Sequence, residues 1–337
     1  MRKFKNVILS FVLVFPATLI AQDVKQLQET ARIFMTQRDY ANAILVLNRA
    51  RQMEPKNMEV AKNLGLNYYF AKDYTKALDI YKPLLESDEA DDQVFQIAGD
   101  IYFVTDNLKE CEKVYRKGLK KFPDSGPLYN ELGELLWGQR DYSAIKYWEK
   151  GIETDPGYSK NYYNACHYYY FTTDKTWSLL YGEIFLNIEP RSFFAGEIKT
   201  ILLEGYKKLF ADANLEGTAP DKNPFTAAYL QTMNKQTNIA ALGLNTESLT
   251  MIRTRFILDW STNYGKQFPY RLFELHQQLL QEGMFDAYNQ WIFTAAQSLP
   301  VYQNWTSTHD YEYNELIRFQ TGRIFKIPTG QYYHLPN

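Results

Sequence analysis

Apolar residues recur at helical intervals along most of this chain, and polar residues fill the gaps between them. Within residues 194–213, Ile198, Ile201, Leu202, Leu209 and Phe210 keep helix-like spacing, and Ile252, Phe256, Ile257 and Trp260 line one face of residues 249–264. A helix over 225–241 is predicted to begin just after Pro224, and Thr246-Glu247 suits the start of the next. No stretch alternates strictly enough to propose a strand. The pattern predicts an all-α protein.

Between Val24 and Ser192 the helical pattern acquires a longer period. Pro55, Pro123, Pro156 and Pro190, with Glu89 at the missing mark, step through the chain by 34, 34, 33 and 34 residues. Some 16 residues before each lies Asp39, Asp73, Asn107, Asp141 or Asp174, and a small residue (Ala31, Gly65, Gly99, Gly133, Cys166) opens each unit. Such a period marks stacked helical hairpins, none of which can bury its apolar stripe alone. The small residue is expected to let helix backbones approach closely. Asp before the second helix suits a position next to free N–H groups, and Pro after that helix stops it.

The second unit reads Leu64-Gly65, Tyr68, Asp73-Tyr74, Ala77, Tyr81, and the fourth reads Tyr129, Leu132-Gly133, Asp141-Tyr142, Ala144, Trp148, Gly151, Asp155-Pro156. These residues resemble the tetratricopeptide repeat family. The fourth unit lacks one residue in its inter-helix turn, and the fifth keeps only Tyr162, Ala165, Tyr169 and Pro190. Five units are expected, at about 24–57, 58–91, 92–125, 126–158 and 159–192. The resemblance covers about half the chain. It implies a right-handed α-solenoid of helical hairpins, extended here by a degenerate helical region over 193–337. Within that region Leu272, Leu275, Leu279, Gly283, Phe285, Ile292, Ala295 and Pro300 suggest a cryptic unit at 269–302. The run 217–224 is the best candidate boundary. Beyond Pro300 an irregular aromatic stretch, a last helix over 312–325 and an extended tail are expected.

Residues 1–21 read differently. Met1-Arg2-Lys3-Phe4-Lys5 is basic, Val7–Ile20 is an apolar run of 14 residues, and Ala21 offers a small residue before Gln22. This is the pattern of a cleaved secretory signal, too short for a comfortable bilayer span. No cysteine stands at the cleavage point to carry a lipid. The expected location is periplasmic or otherwise exported, with no integral span after cleavage. Loss of Arg2, Lys3 and Lys5 takes the net charge from −2 to −5, which argues against a nucleic-acid partner. Cys111 and Cys166 occupy small positions of different units, too far apart for a disulfide.

Catalytic signals are weak. The four histidines (His167, His276, His309, His334) have no metal-protease spacing, and neither a nucleophile elbow nor a phosphate loop is present. No cofactor or metal is expected. An enzyme would need a pocket built by His276, His309 and acids such as Glu274 or Asp286 in the C-terminal helices. Binding is better supported. The family resemblance implies that set positions of each first helix line a concave groove. Carried over, these are Lys62, Tyr69 and Phe70, then Phe103, then Asn130 and Trp137, then Tyr163, His167, Tyr170 and Phe171. Aromatic rings with polar handles suit an extended peptide or helix of a protein partner. A non-enzymatic adaptor of the cell envelope, in assembly or secretion, is the primary expectation. An aromatic groove for glycans or other substrates is the alternative to it and to the enzyme. The terminal-carboxylate grip known in the family is not matched, because Lys62 is followed four places on by Leu66.

Overall fold

The computed structural model describes residues 23–211, Leu215 and residues 223–334. The 1–21 segment read as a signal lies outside them, as does most of the 217–224 run. Every regular element among the described residues is helical. Two units result, dividing between Asn107 and Leu108.

The first unit holds α1 (Val24–Thr36), α2 (Tyr40–Met53), α3 (Met58–Phe70), α4 (Tyr74–Leu84) and α5 (Asp92–Val104). The second begins with α6 (Leu108–Lys121), α7 (Gly126–Gly138), α8 (Ala144–Thr154), α9 (Ser159–Tyr170) and α10 (Lys175–Ile188). Consecutive helices pair as hairpins, α1 with α2, α3 with α4, α7 with α8 and α9 with α10. α2, α6, α8 and α10 end one or two residues before Pro55, Pro123, Pro156 and Pro190. α4, in the unit without that proline, ends at Leu84, one residue after Pro83, whose missing N–H leaves the last turn short of a hydrogen bond.

The turn inside each repeat has a stereotyped geometry. Arg38, Lys72, Asp106 and Arg140, spaced 34 residues apart, all have φ near +60°. In each, that residue's N–H returns to the carbonyl three back and the next N–H to the carbonyl five back, as in Lys72 to Tyr69 and Asp73 to Tyr68, both 2.9 Å. This left-handed cap closes the first helix and aims the chain into the second. Asp39 and Asp73 then accept from the backbone N–H groups of Asn42 and Lys76, both at 3.2 Å, and Asp174 from that of Thr176 at 3.0 Å. The fourth turn pays for its deletion. Asp141 accepts from Ser143 instead, and α8 starts at Ala144 with no side-chain cap.

The small position is explained by a ring rather than by backbone approach. A Cβ on Gly65 would lie 2.6 Å from the Tyr81 ring, and one on Gly133 would lie 2.3 Å from the Trp148 indole. Each ring enters the space the glycine leaves and uses its polar end, Tyr81 Oη donating to the Lys62 carbonyl (3.1 Å) and Trp148 Nε1 to the Asn130 carbonyl (3.4 Å). Cys111 and Cys166 are buried free thiols.

After the repeats come α11 (Ala195–Leu209), α12 (Pro224–Asn234), α13 (Thr237–Ala240), α14 (Thr246–Asn263) and α15 (Arg271–Gln281). The helix expected over 225–241 is broken at Lys235–Gln236. α14 starts at a reciprocal box between Asn245 and Ser248. Next are α16 (Phe285–Asn289), a π-helical turn (Gln290–Thr294), α17 (Ala295–Gln297), α18 (Leu299–Thr308) and α19 (Asp310–Thr321). Gly283, at φ +72°, repeats the left-handed cap between α15 and α16. The stretch beyond Pro300 is more regular than its composition suggests. Pro300 stands in the first turn of α18, where a missing N–H costs nothing, and Ser298 caps that turn. Phe225, Phe256, Trp260, Tyr270 and Phe273 stack into one aromatic core beneath these helices, which accounts for much of the high aromatic content.

Candidate functional site

In the first unit, α1 and α3 flank an open cavity of about 350 Å³ lined by Lys25, Gln28, Arg32, Met35, Asn63 and Asn67. Asn67 is 2% exposed. Its amide is oriented by its own backbone, because Nδ2 donates to the Asn63 carbonyl at 2.8 Å. The side-chain oxygen Oδ1 is left without a partner. A buried amide oxygen without a hydrogen bond is costly and uncommon. The residue is among those lining the groove, with Oδ1 itself shielded from solvent. Lys25, Arg32 and Glu29 stand on the same wall, Arg32 pairing with Glu29 at 2.5 Å.

The residues carried over from the family divide into spent and free. Lys62 is spent. Its ammonium is buried and joins Glu59 (2.8 Å) and Asp91 (2.5 Å), and Asp91 also caps α5 through Val94 N–H (3.1 Å). Burial opposes the charged form, but the two carboxylates outweigh it and raise the Lys62 pKa. Tyr69 packs near Tyr74, and Phe70 stacks on Tyr40 with 42% of its surface exposed. Phe103 is half exposed.

In the second unit Asn130 is fully buried and saturated. It donates to Glu134 Oε1 (2.9 Å) and accepts from Asn164 Nδ2 (2.9 Å). Asn164, which joins α9 to α7, was not legible as a groove residue. Trp137 is 39% exposed, with edge contacts to Tyr142 and Tyr168. α11 covers most of the α9 positions. Tyr163 Oη donates to Glu197 Oε2 at 3.0 Å, and His167 Nε2 lies 3.5 Å from Glu197 Oε1. Burial lowers the His167 pKa, opposed by Glu197. Lys208 Nζ sits 3.6 Å from the centre of the Tyr170 ring. Phe171, 74% exposed, remains open. The free aromatics are therefore Phe70 and Phe103 in the first unit, and Trp137 and Phe171 in the second.

The histidine, His276, named for a possible active site is held elsewhere. Glu183 of α10 accepts from Arg253 of α14, from His276 Nε2 of α15 (2.7 Å) and from Tyr288 of α16 (2.9 Å). Arg253 also donates to Asn289. The side chains of Glu183, Arg253 and His276 are 5%, 2% and 4% exposed. Burial alone would raise the Glu183 pKa, but Arg253, His276 and Tyr288 together hold it at about 2. Burial lowers that of His276, opposed by Glu183. His309 stacks on Trp305, and Glu274 lies near Arg271 on the surface. This hub ties four helices together.

A family model described as tetratricopeptide repeat matches residues 34–101. The chain carries tetratricopeptide repeats. Among curated proteins it is 28% identical over 137 residues to the BBSome complex member BBS4 of Bos taurus, covering 41% of this chain. It spans about a quarter of the length of the curated relatives it matches. Among solved structures, pilF of Pseudomonas aeruginosa aligns with a TM-score of 0.48 at 14% identity, over 65% of this chain and 91% of that one. A tetratricopeptide repeat protein from Parabacteroides merdae aligns with a TM-score of 0.42 at 17% identity, over 77% and 97%. Among the described residues, no helix is long and apolar enough to cross a membrane.

Proposed function

We propose that this protein is a non-enzymatic adaptor that holds an extended segment of a protein partner, in an exported compartment of the cell envelope. The observation that carries the proposal is the open α1–α3 groove, whose walls carry Lys25, Gln28, Glu29, Arg32, Asn63 and Asn67. Lys25, Gln28, Asn63 and the Arg32–Glu29 pair offer hydrogen-bonding groups to a bound segment. The exposed rings of Phe70 and Phe103 in the same unit supply apolar contact area. The relative named above is a member of a multiprotein complex by its name, in keeping with an adaptor role. Export rests on the basic and apolar pattern of residues 1–21.

The test places a photo-crosslinking amino acid singly at Phe70, Phe171 and, as control, exposed Leu258 of α14 in living cells. One identified envelope protein captured from the Phe70 position, and not from Leu258, supports the reading. Capture at Leu258 alone moves the interface to the C-terminal helices. The mass of the purified native protein tests export, the expected first residue being Gln22.

A further inference from the structure

After α19 the chain runs to His334 without a further helix, and it changes character at a turn. Before the turn, Phe325 and Ile327 are buried. At the turn, the Gln331 N–H returns to the Pro328 carbonyl (3.3 Å), and Gly330 has φ +88°, a conformation that glycine adopts without strain. Beyond it Gln331, Tyr332, Tyr333 and His334 are each half-buried. Gln331 and Tyr333 are held to the helices behind them by hydrogen bonds that each involve a side chain.

Tyr333 is recognised at its ring, its hydroxyl and its carbonyl. The ring stacks on Phe225 at 4.7 Å and 9° and meets Phe268 edge-on at 5.6 Å. The hydroxyl donates to the Pro269 carbonyl (2.8 Å), and the carbonyl accepts from Asn223 Nδ2 (2.7 Å). Asn223 is fixed in advance for this contact. Its Oδ1 caps α12, accepting from the N–H groups of Phe225 (2.9 Å) and Thr226 (3.3 Å), which leaves Nδ2 for the tail. Two residues before Tyr333, Gln331 Oε1 accepts from the Arg271 N–H (2.6 Å) in the first turn of α15, where Tyr270 supplies no side-chain cap. Tyr332 bonds to Glu149, and His334 Nε2 lies 2.9 Å from Tyr169 Oη, so further contacts flank the tyrosine. A ring to stack on, an acceptor for a hydroxyl and donors spaced two residues apart are what a receptor for an extended Gln-x-Tyr segment needs.

We infer that Asn223, Phe225, Phe268 and Pro269 form a binding slot for a tyrosine in an extended segment, which residues 331–334 occupy in cis as a releasable latch hinged at Pro328–Gly330. A partner segment with a tyrosine, and a glutamine two places before it, takes the slot in trans once the latch is out. The tethered latch competes at a high effective concentration, so an incoming segment meets only the open fraction of the wild type. Slot and latch share no residue with the α1–α3 groove, and they stand independently of the adaptor reading.

The probe is a fluorescein-labelled peptide of residues 326–334, titrated with the full chain and read by anisotropy. Tyr333→Gly empties the slot and leaves Asn223, Phe225, Phe268 and Pro269 in place. This variant should bind the peptide about tenfold or more tighter than the wild type does. A peptide carrying Tyr333→Ala should lose that binding. Tyr333→Phe keeps the ring and gives up one hydrogen bond, so the full chain with this change should bind the unaltered peptide about fivefold tighter than the wild type. Should Tyr333→Gly fail to fold by circular dichroism, Tyr333→Phe decides alone. Equal affinity of the wild type and the folded variants overturns the inference. So does equal binding of the two peptides.

Discussion

The repeat hairpins and the helices that follow them solve the same packing problem by opposite means. In the hairpins a glycine faces a large ring, as Gly133 faces Trp148, and the contact is apolar with one hydrogen bond at its edge. The later helices are locked to α10 by a buried ion pair, Glu183 with Arg253, and by His276 and Tyr288. Ring-into-glycine packing tolerates repetition, because each unit needs only the next. A buried charge specifies one partner in one place, and it is costly if either member is lost. The array therefore supplies an extendable surface, and the hub fixes how its last hairpin joins the C-terminal layer.

Breaking one member of the hub gives the largest effect. Glu183→Leu should destabilise the second unit by about 3–5 kcal/mol in urea denaturation, and Glu183→Leu with Arg253→Met should recover much of that loss. The pH dependence follows from the same carboxylate. Its folded pKa of about 2 lies below the ordinary 4.5, so its contribution is full above about pH 4.5 and is lost as pH falls toward 2. The wild type should lose stability through that range more steeply than Glu183→Gln. Gly133→Leu should cost about 1–3 kcal/mol, since the indole of Trp148 already fills the space. The turns give the smallest effects. Gly283→Ala should cost about 1 kcal/mol, whereas Lys72→Gly should be neutral or slightly stabilising, both holding φ > 0. A Lys72→Gly loss as large as the Gly283→Ala loss would mean that the lysine side chain, not the backbone, secures the repeat turn.

Much of the array was legible because its markers report backbone and volume. Asp at the helix start, Pro at its end and Gly beneath a ring are local demands that any repeat must meet. The hub was not legible. Glu183 sits in an apolar run, Leu179-Leu180-Tyr181-Gly182-Glu183-Ile184-Phe185-Leu186, and a lone acid there signals a buried partner without saying which. Arg253 and His276 lie 70 and 93 residues further on, and no spacing rule links them. The groove was half legible. Family positions named Phe70, Trp137 and Phe171, which are exposed, but only the structure showed that Lys62 and Asn130 are spent on internal partners.

The most direct measurement is the affinity of a display-selected extended peptide for the full chain, wild type against Asn67→Leu, by fluorescence anisotropy. Loss of a hydrogen-bonding side chain from the groove wall predicts affinity about tenfold weaker in Asn67→Leu, with unfolding little changed. Equal affinity in the two proteins would contradict the account and place the binding surface away from the α1–α3 groove.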